Sequence, residues 1–427
     1  MNVDLPFGRS EQRIRIPDDI VVDFLKPESG TAIPDCDAAF REAVGHPIDA
    51  EPLATLVSGD DPVLILISDL TRDGGTLSML GSCVSYLKEC GCKTAQIRVL
   101  IARGTHRKLT RDEKRLFKEG ELKGIAVEEH DCDDCCGLEA LLLTSRGTPV
   151  RINRALKESA LVILLAPVSL HYFAGFGGGR KLVLPGCSDR QSILANHRLS
   201  LLDTRPVKLN PLCRPGVTEG NPVHEDMCEA IEALENLFAC NFFSDLSGSI
   251  VFVNAGSPAP SHARACELYL EQAAVTLDTR YDVLLLSAGG YPYDMNLLQT
   301  HKALRHASGA MNGGGTILVC AECPEGVGSS MLETALEEPA AAFMKNAYKN
   351  YMINNQAAVS MRTLSEEYTI GMMTSLESEW LERCGFAACT NAEAFLADAL
   401  SRYGTNRIAV MSCGAKTLPV FKEEVAT

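Results

Sequence analysis

A surplus of positive charge is missing from this chain: 40 Lys and Arg stand against 55 Asp and Glu, for a formal net charge of −15 and a pI near 5.1. The long-range field of such a molecule repels polyanions, so neither a nucleic-acid nor a membrane partner is expected. A local basic pocket for a small anion stays compatible with it. Also missing are an apolar run long enough to cross a bilayer and a charged-then-apolar leader, and a cytoplasmic location is therefore expected. The 17 cysteines lack the spacing of a small secreted framework. Scattered as Cys83, Cys90, Cys92, Cys213, Cys320 and Cys323, they read as buried thiols without structural disulfides. Two nucleotide-binding signatures are absent as well. G-x-G-x-x-G would need glycine at Arg180, and no Gly-Lys-Ser/Thr ending of a P-loop follows the glycine run.

What is present is ordinary globular material, 46% apolar and 22% charged over 427 residues, which is enough for two domains. The most informative stretch is 171–197, HYFAGFGGGRKLVLPGCSDRQSILANH. It follows Leu161–Pro167 (LVILLAP), a continuous apolar run of the kind shown by a parallel strand covered on both faces. Gly175, Gly177, Gly178 and Gly179 allow positive φ and close approach of the backbone to a ligand, and such a loop can aim N–H groups at a phosphate. Pro185 and Gly186 close it. Ser188 is the expected cap of a helix over 189–202 that carries His197.

The rest of the chain alternates strand and helix. A hairpin turning at Gly8-Arg9-Ser10 and a short helix at 37–44 come first. Strands at 63–67, 96–101, 125–129 and 161–167, with helices at 75–89 and 110–117, then predict a parallel α/β sheet. Thr110 and Glu113 form a capping box on the second helix. Strands at 237–242 and 250–254 and a helix at 261–274 complete this part. A second series starts after 278–280, with strands at 283–287, 316–320 and 408–411 and helices at 296–310, 340–353 and 391–400. The fold class is therefore α/β with two domains: a larger N-terminal domain, 1–277, a linker at 278–280, and a smaller Rossmann-like C-terminal domain, 281–427. The second is expected to close over an active-site cleft between them, with its tail packing back on the first.

Ligands of such sheets sit beyond the carboxyl ends of strands. Three segments end there: Ser68-Asp69-Leu70-Thr71-Arg72, Gly104-Thr105-His106-Arg107 and the His171 loop. His106 and His171 on one edge are candidate general bases for opposite sides of one molecule, although a lone histidine at a strand end is more often a hydrogen-bonding residue. Lys181 beside glycines would by default neutralise a phosphate, yet a desolvated lysine is also a covalent attachment point. His197 is either a satisfied core histidine or a ligand for nickel, copper or zinc. Asp69 and Arg72 can pair, or Arg72 can grip a carboxylate. Gln299 and Lys302, three apart, share a helix face. His130, Cys132, Cys135 and Cys136 look like half of a zinc site; without a second half they read as a polar loop. His224 reads as part of a helix start.

Taken together, 68–72, 104–107, 171–186, Asn196-His197 and the pair Gln299 and Lys302 resemble the nickel-dependent lactate racemase family over nearly the full length. That resemblance implies a nickel-pincer nucleotide linked covalently to Lys181, with His197 as a nickel ligand and Asp69, Arg72, Gly177, Gly178 and Gly179 around the cofactor. It implies racemisation or 2-epimerisation of a 2-hydroxy acid by hydride transfer, with His106 and His171 as acid/bases and Arg72, Leu298, Gln299 and Lys302 facing the substrate. Cofactor-biosynthesis proteins would load the nucleotide. Leu298 stands where the family tends to have tyrosine, Ala174 where a small hydroxyl residue occurs, and Asp73-Gly74-Gly75 where a proline often follows the arginine, which points to a 2-hydroxy acid other than lactate. Two other readings are a non-catalytic carrier of the nucleotide and a nicotinamide-dependent oxidoreductase; the missing glycine pattern counts against the latter.

Overall fold

The computed structural model describes residues 1–57, 59–69 and 75–421. It is α/β and falls into two compact units, one of Ser29–Leu199 and Leu212–Tyr269, the other of Met1–Glu28, Ser200–Pro211 and Leu270–Thr427.

The first unit is built on a six-stranded sheet in the order Ile250–Gly256, Leu237–Ser244, Leu161–Pro167, Val63–Ser68, Ile97–Ala102, Ala126–Glu129. Leu161–Pro167 is buried at every position, as its unbroken apolar run requires. The helix Thr76–Glu89 lays Met79, Leu80, Cys83, Val84 and Leu87 on the sheet beside Ile65, Ile67, Ile163 and Leu165. That stripe follows the helical repeat, and each buried aliphatic side chain contributes roughly 1.5–3 kcal/mol. From Val63–Ser68 the chain moves outward through two strands and then returns to the other side as Leu161–Pro167. The loops after these two neighbouring strands flank a topological switch point, the favoured ligand position of an open α/β sheet.

Three details differ from expectation. The Ile250–Gly256 strand runs antiparallel to Leu237–Ser244, because the few residues joining them are too short for a crossover. The helix expected over 189–202 is Arg190–Arg198, and its cap is Asp189, whose carboxylate accepts from Ser192 N; the Ser188 hydroxyl is committed to Val183 O at 2.8 Å. An antiparallel hairpin of Leu138–Leu143 and Pro149–Asn153 follows the 130–136 segment, where the residue pattern predicts no strands.

The second unit carries an all-parallel sheet in the order Ala387–Ala388, Thr369–Met373, Met311–Cys320, Tyr281–Ser287, Arg407–Met411, Val21–Phe24. Its edge strand comes from the N-terminus. The hairpin of Asn2–Phe7 and Ser10–Arg15 belongs here too: alternation gives it one apolar face, Val3, Leu5, Ile14 and Ile16, which is buried with Val283, Leu285, Ile408 and Val410. Residues 200–211 join through Val207 N, which donates to Met344 O at 2.7 Å. The units are therefore discontinuous in sequence, unlike a simple division at 278–280. The last described strand, Leu418–Phe421, pairs with Ala274–Leu277 of the same unit. In place of one helix over 340–353 there are Ser330–Glu337, Ala340–Asn346 and Asn355–Glu367, separated at Pro339 and at Asn354, whose φ is +71°. Among the described residues no helix is long and apolar enough to cross a membrane, and all 17 cysteines are free thiols.

Candidate functional site

Asp69 leaves the end of Val63–Ser68 and His106 lies just beyond Ile97–Ala102, strands paired in register through Ser68 and Ala102. The two side chains meet, with Asp69 Oδ2 2.5 Å from His106 Nδ1. Asp69 is 5% exposed, so this carboxylate is withdrawn from water and aimed at the ring. The backbone of His106 is fixed as well: its N donates to Arg103 O at 2.8 Å and its O accepts from Arg103 Nη1 at 2.5 Å. Arg72, and with it an Asp69–Arg72 pair, lies outside the described residues.

The segment after Leu161–Pro167 doubles back at once, Leu170–His171 pairing antiparallel with Gly175–Phe176. Glycine is required there by the protein's own backbone. At Gly175, φ +74°, a Cβ would sit 2.2 Å from Val217 O; at Gly178, φ +79°, it would sit 2.8 Å from Pro167 O. Gly178→Ala is expected to lose on the order of 2–4 kcal/mol, since a residue with a Cβ is strained at that φ and meets a carbonyl that cannot yield. Urea unfolding measures it, and a loss below about 0.5 kcal/mol, the scatter of neutral surface changes, would contradict the assignment.

Phe173 gathers the functional groups. Its ring centroid lies 4.6 Å from that of His171 and 5.0 Å from that of His197, and the Lys181 ammonium stands 5.4 Å from it. His171 is buried, and its Nδ1 accepts from Ala174 N at 3.3 Å. His197 is held through a chain of bonds. Its Nδ1 donates to Asn196 Oδ1 at 3.2 Å; Asn196 Nδ2 donates to Asp226 Oδ2 at 2.8 Å; Asp226 accepts the hydroxyls of Thr144 at 2.5 Å and Thr148 at 2.8 Å. This orientation puts the His197 lone pair on Nε2. Burial, then the positive charge of Lys181, pushes its pKa down to about 3, so the imidazole is neutral at ordinary pH. A neutral imidazole oriented by an amide and a carboxylate behind it is the usual form of a metal-ligating histidine.

Leu298, Gln299 and Lys302 lie in the other unit, at the start of the helix Leu297–Ala307, where Lys302 Nζ donates to Gln299 Oε1 at 2.5 Å. The segment 130–136 is a scaffold by its contacts. Asp131, Cys132 and Asp133 bring ligand atoms within 4.8 Å of one another, but Arg103 and Lys108 face Asp131 and Arg190 pairs with Asp133 at 2.6 Å. His130 Nε2 bonds Ser188 O at 2.9 Å. His224 lies near the start of the helix Pro222–Glu232, as expected. Sequence reasoning misses Arg103, Phe173 and Asp226. An aromatic two residues after His171 and an arginine closing a buried strand are the available signals for the first two; Asp226, thirty residues from Asn196, offers none.

His171, Lys181 and His197 thus gather around Phe173 just beyond the carboxyl end of Leu161–Pro167, where an open α/β sheet receives a ligand. The lactate racemase N-terminal domain family matches residues 7–207 and the lactate racemase C-terminal domain family matches 277–417. The chain belongs to the lactate racemase family and is an isomerase of the racemase class. It is 32% identical over 330 residues to a lactate racemase of Thermoanaerobacterium thermosaccharolyticum, covering 77% of this chain and 76% of that protein. It is 28% identical over 331 residues to one of Lactiplantibacillus plantarum, covering 76% of each. The solved lactate racemase apoprotein of T. thermosaccharolyticum superposes with a TM-score of 0.87 at 27% identity, over 98% of this chain and 100% of that one. A Thermotoga maritima protein shares the fold at 17% identity, with a TM-score of 0.70 over 91% of this chain and 99% of that one.

Proposed function

We propose that the protein interconverts the enantiomers of a 2-hydroxy acid, using a nickel-pincer nucleotide attached to Lys181 and ligated through His197. The observation that supports this most is the gathering of His171, Lys181 and His197 around Phe173. The residues fit the group. His197 offers a neutral nitrogen donor of the kind that suits nickel, Lys181 a half-buried amine beside it, and the turn at Gly177, Gly178 and Gly179 would take the phosphate. When bound, such a nucleotide supplies reversible acceptance of hydride from C2, which avoids removing a C2 proton next to a carboxylate.

The chain's own residues do the remaining work. His106, with Nδ1–H directed at Asp69, presents Nε2 as the base for the substrate hydroxyl proton on one face. His171 holds or returns that proton on the other. Arg72 and Lys302 would orient the substrate carboxylate, with Gln299 and Leu298 shaping the rest of the pocket. A leucine in place of an aromatic makes room for a 2-hydroxy acid larger than lactate. Cofactor-biosynthesis proteins would load the nucleotide in the cytoplasm.

Chiral chromatography of lactate and a panel of longer 2-hydroxy acids, incubated with protein whose adduct is verified by intact mass, tests this. Inversion of one substrate is expected, slowed by about 10²–10⁴-fold in His106→Ala and in His171→Ala. Loaded protein that inverts nothing on the panel would reduce the chain to a carrier. An adduct that persists in Lys181→Ala would remove the attachment assignment.

A further inference from the structure

Four of the five residues 175–179 are glycine, and glycine has the most backbone freedom to lose. Apart from the buried Phe176, nothing in those residues' own side chains can hold the turn that leads from His171 to Lys181. The support comes from behind it. Arg180 Nη2 donates to Ala174 O at 2.9 Å and to Phe176 O at 3.2 Å, and Nη1 lies 3.3 Å and 3.5 Å from the two ring nitrogens of His262. His262 Nε2 donates to Gly177 O at 2.9 Å.

Arg180 is 2% exposed, and among the described residues no carboxylate faces its guanidinium; its Nε has no hydrogen-bond partner. Burying an arginine without a counter-ion is costly, so something must be gained by it. A carboxylate would draw the guanidinium donors to itself. Without one, they are left for backbone carbonyls.

We infer that Arg180 and His262 are positioning residues, a buried brace that fixes the glycine turn from inside and thereby sets where Lys181 presents its amine. The brace takes hold of carbonyls 174, 176 and 177 and leaves the outer side of the turn to a ligand. Gly179 belongs to the same device: a Cβ there would lie 2.7 Å from His262 Cδ2, so only glycine lets the ring approach. Burial, with Arg180 alongside, pushes His262 down to about 3. The ring is thus neutral, with its proton on the nitrogen that faces Gly177 O. Since Arg180 points inward, the single turn Gly179–Leu182 carries the next side chain, Lys181, to Phe173.

The inference rests on Lys181 as the attachment residue, but its test needs no cofactor. Protein without nucleotide is acetylated at pH 8 with limiting acetic anhydride, and mass spectrometry gives the rate at Lys181 relative to exposed Lys118. Arg180→Met and His262→Asn are expected to change that ratio at least fivefold while keeping a cooperative melt. His262→Gln, whose longer amide still reaches Gly177 O, stays within twofold of the parent. Should Arg180→Met fail to fold, the two His262 variants decide. A folded His262→Asn within twofold of the parent would overturn the inference, as would His262→Gln displaced as far as His262→Asn. If the ratios move as expected and loaded protein racemises nothing, the brace stands and the proposed activity falls.

Discussion

Asp69→Asn, compared with the parent at equal nucleotide loading by intact mass, lowers the racemisation rate by on the order of 10³-fold or more. The reason lies in one contact, Asp69 Oδ2 at 2.5 Å from His106 Nδ1. The carboxylate can only accept, so it keeps the proton of a neutral His106 on Nδ1 and leaves Nε2 free for the proposed role of base. It also faces the imidazolium that forms once the substrate proton has been taken. An asparagine removes that charge, and its amide can donate to Nδ1, which moves the ring proton to Nε2 and blocks the base. Shape and volume are nearly the same in the two side chains, so packing does not explain a loss. Steady-state rates with each enantiomer, together with intact mass, decide the point. A variant within threefold of the parent would sink the view that Asp69 sets the protonation of His106.

Acid is expected to unfold this protein well before its carboxylates have all been protonated. Burial in every case, joined by neighbouring cations, pushes His197 and His262 to about 3, His224 to about 2 and, in the other unit, His301 to about 3 and His306 to about 4. Below the unfolded value near 6.5 the unfolded chain binds protons that the folded chain refuses. Stability from these groups is therefore complete above pH 6.5 and is lost as pH falls from there toward the folded values. At pH 5 each has removed on the order of 2 kcal/mol, and the three in one unit about 6 kcal/mol, against a typical total of about 5–15 kcal/mol. The urea midpoint should drop by on the order of 2 M between pH 8 and pH 5. Equal midpoints at the two pH values would show that these rings are not held neutral in the folded state.

Much of the fold is legible in the order of the residues, and the reasons are physical. Leu161–Pro167 can be placed to the residue because a strand covered on both faces leaves no polar position to blur its ends. The box of Thr110 and Glu113 is a local hydrogen-bond pattern and forms as expected. His106 and His171 follow from the rule that parallel strands deliver their next residues to one edge. What stays hidden is non-local. Nothing in VVDF at 21–24 names a partner at 407–410, and the separation of two helices at Asn354 depends on a left-handed residue with no proline or glycine to announce it. The carboxylate of Asp69 has a sequence neighbour, Arg72, as a candidate partner, while its bond to His106 spans 37 positions. Arg180 looks like a break in a glycine pattern; only the packing behind the loop gives it a purpose.

The edge strand Val21–Phe24 also has a bearing on how the chain is made. Its ladder is closed by Arg407–Met411, and the Arg407 guanidinium reaches Asp23 across 384 residues. At about 5–20 residues per second a ribosome needs roughly 20–80 seconds to deliver that partner. For all of that time the first strand has been synthesised and its place in the sheet does not exist. The unit containing the site residues Asp69 to His197 is complete by Tyr269 and can form while translation continues. The sheet of the second unit is closed later, once Arg407–Met411 exists for Val21–Phe24 to pair with.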